Sequence, residues 1–183
     1  MGDAQYLVNN FKVDKVIFNC GFYNDLEKDL IKVLDKKKIP YYLCIKELNI
    51  DNYKLQFLNT REYNKENDNS NVIYFNYNNY KFLFMGDAGT EKEKDILEKY
   101  NLKDINFLKI GHHGSNTSSS KYFIDKISPK YSIISVGKNN RYGHPKDSVL
   151  EILKNSQIYR TDIDGSIEIK LNKNGYNIRT YSP

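Results

Sequence analysis

The sequence has 183 residues, of which 39% are apolar, and this is enough for one domain with a sizeable core and argues against intrinsic disorder. The formal net charge is +5, from 28 basic and 23 acidic residues with no dense basic run, so the charge favours an anionic partner only mildly. Cys20 and Cys44 stand in apolar surroundings without a metal-binding spacing, so we expect two inert core residues and no disulfide. Neither a secretory signal nor a run of about 18 apolar residues is present, so no membrane segment is predicted in this chain.

The first third of the chain alternates helix and strand. The predicted elements are a helix at 3–11, a strand at 15–19, an amphipathic helix at 25–37 and strands at 39–43 and 54–58. The third of these has apolar residues at helical spacing, namely Leu26, Leu30, Val33 and Leu34. A strand–helix–strand order predicts that the first two strands are parallel neighbours.

The rest of the chain continues as an α/β pattern after a polar loop at 61–70. Strands at 72–77 and 82–85 are predicted to form a hairpin at Asn78-Asn79, and the last two strands to join at Asn174-Gly175. The other predicted elements are helices at 91–100, 121–127 and 147–155 and strands at 106–110, 131–136, 157–160, 166–171 and 176–180. We find no linker and no internal repeat, so residues 1–183 are interpreted as a single domain.

The three histidines and one aspartate follow predicted strands and stand beside glycines. His112 and His113 come after one strand, His144 lies in the loop after the next, and Asp87 follows an earlier strand. In layered α/β folds the loops at strand ends converge on a site. Imidazole and carboxylate groups are ligands that zinc or manganese accepts, and a carboxylate can bridge two ions.

Each of these residues also has a simpler interpretation. Asp87 could cap the helix that begins near Thr90. The His112-His113 pair could be solvated in a loop, and His144 could be a turn residue before Pro145. Composition and spacing alone leave these alternatives open.

A series of short motifs runs through the last two thirds of the chain. The motifs are Asn67–Ser70, Phe84–Gly89 (Phe-Met-Gly-Asp-Ala-Gly), Leu108–Ser115 (Leu-Lys-Ile-Gly-His-His-Gly-Ser), Ile133–Gly137, Asn140–Pro145 (Asn-Arg-Tyr-Gly-His-Pro) and Ile158–Asp162, followed by Gly165–Ile167. Together, from about Asn67 to Arg179, they resemble the C-terminal hydrolase domain of ComEC-type competence proteins.

This resemblance implies a metallo-β-lactamase fold, an αββα sandwich with two sheets face to face, helices outside and a two-metal site at one edge. The metal would be zinc or manganese. By analogy with the family, Asp87 would be the bridging carboxylate and His113 a metal ligand. His112 would face the substrate phosphate, and His144 would polarise the substrate or protonate a leaving group.

The first metal motif of the family, His-x-(His/Ser)-x-Asp-His, is absent from this chain. Met1–Ala4 is similar to the stretch that follows that motif, so we expect residues 1–60 to be a remnant of the N-terminal half, with an incomplete sheet, and residues 67–183 to be the C-terminal half. An incomplete metal centre, impaired activity and self-association through the N-terminal half are therefore expected.

The function that the resemblance implies is metal-dependent hydrolysis of a phosphodiester, with DNA as the substrate. Two alternatives remain: a catalytically silent domain that binds nucleic acid or a protein, and a free-standing hydrolase of a cell-wall phosphodiester or ester. The chain would be cytoplasmic if expressed as it stands, and membrane-associated if it is part of a full ComEC-type protein.

Overall fold

A computed structural model describes residues 3–182, and its helices and strands follow the predicted alternation closely. In chain order the elements are α1 (Ala4–Asn10), β1 (Val16–Phe18), α2 (Asp25–Lys37), β2 (Tyr41–Leu43), β3 (Glu47–Ile50), β4 (Tyr53–Phe57), β5 (Ile73–Tyr77), β6 (Tyr80–Phe84), α3 (Thr90–Lys99), β7 (Phe107–Lys109), α4 (Lys121–Ile127), β8 (Tyr131–Ile134), α5 (Asp147–Ile152), β9 (Gln157–Arg160), α6 (Thr161–Asp164), β10 (Ser166–Asn172) and β11 (Gly175–Tyr181). Short 3-10 turns span Glu66–Asn69 and Gly111–Gly114.

The central element is a mixed sheet with the strand order β3-β4-β5-β6-β7-β8-β9. Adjacent strands pair antiparallel from β3 to β6 and parallel from β6 to β9. The parallel strands are connected through α3, α4 and α5, whose apolar faces share one core with the sheet. Representative buried members of that core are Leu83, Ile96, Leu108, Phe123, Ile134 and Val149. The predicted α/β class is therefore confirmed.

The opposite face of the sheet has an aromatic row that follows the strand register. Phe75, Phe82, Phe107 and Tyr131 lie side by side, with successive ring centroids 4.5, 4.6 and 5.3 Å apart. The antiparallel hairpin β10–β11 places Tyr176 against Phe107, at 5.1 Å between ring centroids. The hairpin therefore covers one part of this face.

The N-terminal elements form a smaller unit with its own apolar cluster. Strand β1 pairs in parallel with β2, as the strand–helix–strand order predicted, and α2 connects them. Val8, Phe18, Leu30 and Leu34 are the buried members of the cluster. Helix α2 begins at a capping box, in which Asn24 and Glu27 accept hydrogen bonds from each other's backbone N–H. Within residues 3–182, β1 and β2 pair only with each other.

The prediction that Cys20 and Cys44 are inert core residues without a disulfide is wrong. The two residues form a disulfide, and neither is fully buried. The parallel register pairs Phe18 with Leu43, the last residues of β1 and β2. The chain therefore leaves both strands at the same end, where Cys20, two residues after Phe18, meets Cys44, one residue after Leu43. The predicted parallel pairing of strands 15–19 and 39–43 already placed each cysteine one residue beyond a strand end, a signal that the argument from cysteine spacing overlooked.

Several element boundaries differ from the prediction for local reasons. Strand β3 was missed, although it pairs with β4 across a turn in which Asp51 has a φ of 49°. The final turn lies one residue earlier than predicted, because Asn172 pairs with Gly175. Strand β8 ends at Ile134 rather than at Val136, whose N–H and C=O are both bound to the Thr161 hydroxyl at 2.7 Å. Across residues 3–182, no helix has the length and apolar character that crossing a membrane requires.

Candidate functional site

The four predicted site residues lie on turns that follow β6, β7 and β8, at one edge of the sheet. His113 Nε2 is 3.9 Å from Asp87 Oδ1. The His112 ring centroid is 6.3 Å from that of His113 and 6.1 Å from that of His144. The fold thus brings Asp87 to His113, and His112 to both His113 and His144, as the strand-end argument predicted. The chemical role of each residue remains a prediction.

The paired histidines occupy an unusual backbone conformation. His112 and His113 have φ values of 44° and 57°, a left-handed region that costs free energy for any residue other than glycine. The turn is anchored because the His112 N–H donates to the Gly86 carbonyl at 3.0 Å, which also ties it to the turn that contains Asp87. This conformation allows two consecutive imidazoles to emerge on the same side of the sheet edge.

Gly114 allows the histidine turn and the His144 loop to approach each other. Its φ is +80°, and a Cβ atom at this position would lie 2.6 Å from the Pro145 Cβ. The Gly114 carbonyl accepts a hydrogen bond from the Lys146 N–H at 3.0 Å. Any larger residue would push the two loops apart, so this glycine is required by packing as well as by its backbone conformation.

The hydrogen bonds of the rings determine which nitrogens remain available. His113 Nδ1 lies 2.7 Å from the Ser135 carbonyl, which can only accept, so Nδ1 carries a proton and Nε2 is the nitrogen that faces Asp87. An imidazole held in this way by a carbonyl is the usual arrangement of a metal-ligating histidine. His112 Nδ1 lies 3.1 Å from the Thr117 hydroxyl, which can donate or accept and therefore does not fix the tautomer.

His144 is held by Asn140 and is partly shielded from solvent. Its N–H donates to Asn140 Oδ1 at 2.9 Å, and its carbonyl accepts from Asn140 Nδ2 at 2.8 Å. Burial, assisted by the nearby Lys146 and the other histidines, holds the pKa of His144 below its ordinary value. Its buried Nδ1 has no hydrogen-bond partner within the described part of the chain. The lowered pKa favours the neutral imidazole of His144, a form that can donate or accept a proton.

Asp87 does not act as the cap of α3, the alternative that the sequence left open. The N-cap residue is Gly89, whose N–H donates to Asp68 Oδ1 at 2.7 Å. The Asp87 N–H donates to the Ser70 hydroxyl at 3.1 Å, which fixes the turn from below and leaves the carboxylate half-exposed. Asp68 and Ser70 lie in the Asn67–Ser70 motif of the sequence. Only the structure shows that they accept hydrogen bonds from the N–H groups of Gly89 and Asp87.

Two buried charged residues of α3 support the site loops from beneath, and sequence reasoning missed both. Lys92 is 2% exposed and donates to the Ser70 carbonyl at 2.7 Å. Burial lowers the pKa of Lys92 to about 8, against the opposing effect of Asp68. The Glu93 carboxylate accepts the N–H groups of Ser119 and Ser120, and its burial raises its pKa. One helix thus braces both the loop beneath Asp87 and the loop that carries Thr117.

A cleft of about 600 Å³ opens beside Asp87 and His112. Its other lining residues are Lys65, Glu66, Asn67, Asp68, Gly89, Thr90, Glu91 and Thr117. The site is therefore accessible to a ligand from this side.

The donors that the structure describes do not fit a complete two-metal centre. Asp87 and His113 are close enough to share one ion, and the orientation of the His113 ring suits a ligand. Across residues 3–182, however, no group of three His, Cys, Asp or Glu side chains could hold a metal ion. A closed zinc site takes four ligands and a catalytic one takes three from the protein.

Comparisons with known proteins find relatives among competence proteins. ComE operon protein 3 of Bacillus subtilis is 28% identical over the whole chain and 24% of its own length. Competence protein ComA of Neisseria gonorrhoeae is 34% identical over 68% of the chain and 19% of its own length. Recombination protein 2 of Haemophilus influenzae is 33% identical over 57% of the chain and 13% of its own length. The chain thus spans a quarter or less of the length of these relatives.

The other comparisons add little. No family model matches the chain. A Thermotoga maritima protein classed in the metallo-β-lactamase superfamily overlays 80% of the chain and 70% of its own, at 15% identity and a TM-score of 0.41. An overlap of this quality supports no further conclusion.

The motifs, their placement at strand ends and the relatives define an α/β domain of the competence-protein class. More specifically, the chain is a ComEC-type domain, as the motifs between Asn67 and Arg179 predicted.

Proposed function

We propose that this chain is a DNA-directed member of the metal-dependent phosphodiester hydrolases, with impaired hydrolysis. In this proposal a phosphodiester binds at the edge formed by Asp87, His112, His113 and His144. The observation that carries the proposal is the convergence of three imidazoles and one carboxylate on a single sheet edge beside an open cleft.

The chemistry of the edge supports a phosphate ligand. His112 and His144 are within 6.1 Å of each other between ring centroids, and hydrogen bonds from imidazole N–H groups can stabilise phosphate oxygens. In its neutral form, which the lowered pKa favours, His144 can also take or give a proton at a leaving oxygen. Arg141 and Lys146 on the same loop add positive charge, which attracts a polyanion.

DNA is the phosphodiester that the relatives favour. Two of them are named for competence or for the ComE operon and one for recombination, and these names refer to processes that handle DNA. The net charge of +5 agrees with such a partner.

In this proposal hydrolysis is impaired because Asp87 and His113 are the only two metal ligands that the described part of the chain brings together. Hydrolysis by paired metals needs a bound hydroxide and charge stabilisation on both sides of the phosphorus, which two protein ligands do not organise. A second candidate function is favoured by the same observation: a catalytically silent domain that binds nucleic acid.

One set of assays tests both candidates. Binding of labelled single-stranded DNA would be measured by fluorescence anisotropy over a series of salt concentrations, and cleavage would be followed with Zn²⁺ or Mn²⁺ added. We expect salt-dependent binding, with slow metal-dependent cleavage that Asp87→Ala abolishes. Binding without any cleavage would select the silent domain instead. If the wild-type chain binds no DNA, both candidates are wrong.

A further inference from the structure

An exposed aromatic ring stands next to the histidine edge and has no packing role in the core. Tyr142 is 61% exposed and lies in the loop between β8 and α5. Its ring is inclined only 17° to that of His144, with the centroids 5.9 Å apart. Tyr142 therefore extends the line of rings that begins at His112 and His144.

Arg141 packs against the exposed ring of Tyr142. Its guanidinium carbon lies 4.8 Å from the centroid of the Tyr142 ring, and Nη2 donates to the Tyr142 hydroxyl at 2.6 Å. A guanidinium over an aromatic ring is a planar, cationic surface that stacks well on a nucleobase.

The loop is rigidly braced although its aromatic ring is exposed. Asn140 Nδ2 donates to the carbonyls of Gly137 and His144, and Lys146 Nζ donates to the Tyr142 carbonyl at 2.8 Å. The ring is thus presented to solvent by a backbone that is held on both sides. Preorganisation of this kind reduces the entropy lost when a ligand binds.

The charges of the loop are available to a ligand. Among the side chains of residues 3–182, the cationic groups of Lys138, Arg141 and Lys146 form no ion pair with a carboxylate. An exposed aromatic group within a group of unpaired cations is the arrangement by which proteins hold single-stranded nucleic acids, through stacked bases and neutralised phosphates.

We propose that Tyr142 and Arg141 form a base-stacking subsite for single-stranded DNA, adjacent to the phosphate position at His112 and His144. This inference rests on the proposed function. The ring-to-ring steps of 5.9 and 6.1 Å are comparable to the length of one nucleotide in an extended strand. In a duplex the bases are already stacked and paired, so the subsite selects single strands.

The test uses the full chain with an oligothymidylate, the same oligonucleotide with abasic sites, and a duplex of equal length. Tyr142→Ala should weaken binding of the oligothymidylate about tenfold, because one stacked base is lost. Tyr142→Phe should retain wild-type affinity within about twofold, since the ring remains. The wild type should bind the abasic oligonucleotide as weakly as Tyr142→Ala binds the oligothymidylate. For Tyr142→Ala itself, the abasic sites should cause no further loss of affinity.

Two controls separate stacking from charge and from general surface effects. Tyr122 on α4 is 60% exposed with Lys126 at 5.7 Å from its ring centroid, so Tyr122→Ala removes a matched tyrosine–cation pair on a different element and should leave binding unchanged. Lys138→Ala should reduce the slope of log K against log salt by about 1, whereas Tyr142→Ala should leave the slope unaltered.

The outcomes distinguish this inference from the proposed function. If wild type and Tyr142→Ala bind every oligonucleotide equally, Arg141 and Tyr142 are a surface packing pair only, and the subsite is wrong while DNA binding stands. Equal affinity for duplex and single strand would also overturn it. If no DNA binds to the wild type, the subsite and the proposed function fail together.

Discussion

His113 presents Nε2 to Asp87 Oδ1 at 3.9 Å while its Nδ1 is bound to the Ser135 carbonyl. One histidine is thus oriented as a metal ligand opposite a carboxylate, yet the described part of the chain offers no third donor beside them. This half-formed arrangement determines what metal binding should look like.

Zinc binding by this chain should be weak. With two protein ligands, the binding free energy should fall well short of the ~10 kcal/mol or more of structural zinc sites. Asp87→Asn or His113→Gln should remove the remaining binding in isothermal titration calorimetry. Tight stoichiometric binding of zinc to the wild-type chain would contradict the donor assignment.

The buried Lys92 should make stability rise with pH in the alkaline range. Its pKa is lowered from 10.5 to about 8, so between these values the unfolded chain holds a proton that the folded one has released. The free energy of unfolding of the wild type should therefore increase by about 2 kcal/mol relative to Lys92→Met between about pH 8 and pH 10. Urea denaturation at several pH values measures this. Parallel pH profiles for the two proteins would show that Lys92 is not desolvated in the folded state.

The disulfide between Cys20 and Cys44 should stabilise the N-terminal unit selectively. It joins residues 24 apart in sequence, and closing a loop of this length contributes about 3 kcal/mol in the chain-entropy model. The double variant Cys20→Ser, Cys44→Ser should increase amide exchange in β1 and β2 much more than in β7 and β8. Equal protection with and without the crosslink would mean that the apolar cluster alone holds the unit.

Self-association through the N-terminal unit is expected from its exposed edge. Leu43 is 50% exposed on β2, and β1 and β2 form a two-stranded sheet among residues 3–182. Leu43→Lys should lower the mass seen by light scattering at high protein concentration, because charge on an edge strand opposes pairing. Tyr122→Lys, at an exposed site on α4, is the matched control. A wild-type monomer at all concentrations, with uniformly protected amides from 15 to 58, would refute this expectation.

Most of the secondary structure could be predicted because local signals determine it. Helix α2 coincides with its prediction at both ends, since Asn24 and Glu27 form a capping box in front of regularly spaced apolar residues. The hairpin at Asn78-Asn79 was predicted for the same kind of reason, since both residues have positive φ values there.

The support of the site could not be predicted, because it depends on tertiary contacts. Lys92 and Glu93 look like ordinary surface charges of an amphipathic helix, and only the packed fold shows that both are buried. The disulfide was missed for a different reason: the parallel pairing of β1 and β2 that brings its cysteines together was predicted, but the cysteines were judged by their spacing alone. The convergence of Asp87 and the three histidines was predicted because strand ends meet at one sheet edge, a rule that needs no side-chain detail.

The most direct test of the proposed function is a map of where a single-stranded oligonucleotide contacts the folded chain. Amide chemical shifts of the ¹⁵N-labelled protein would be recorded by NMR during titration with oligothymidylate. We expect the largest shifts in three segments, 86–89, 111–117 and 137–146, which form the histidine edge and the adjoining loop. Shifts concentrated elsewhere, for example around Lys130 and Tyr176 at the other end of the sheet, with these segments unchanged, would contradict the account.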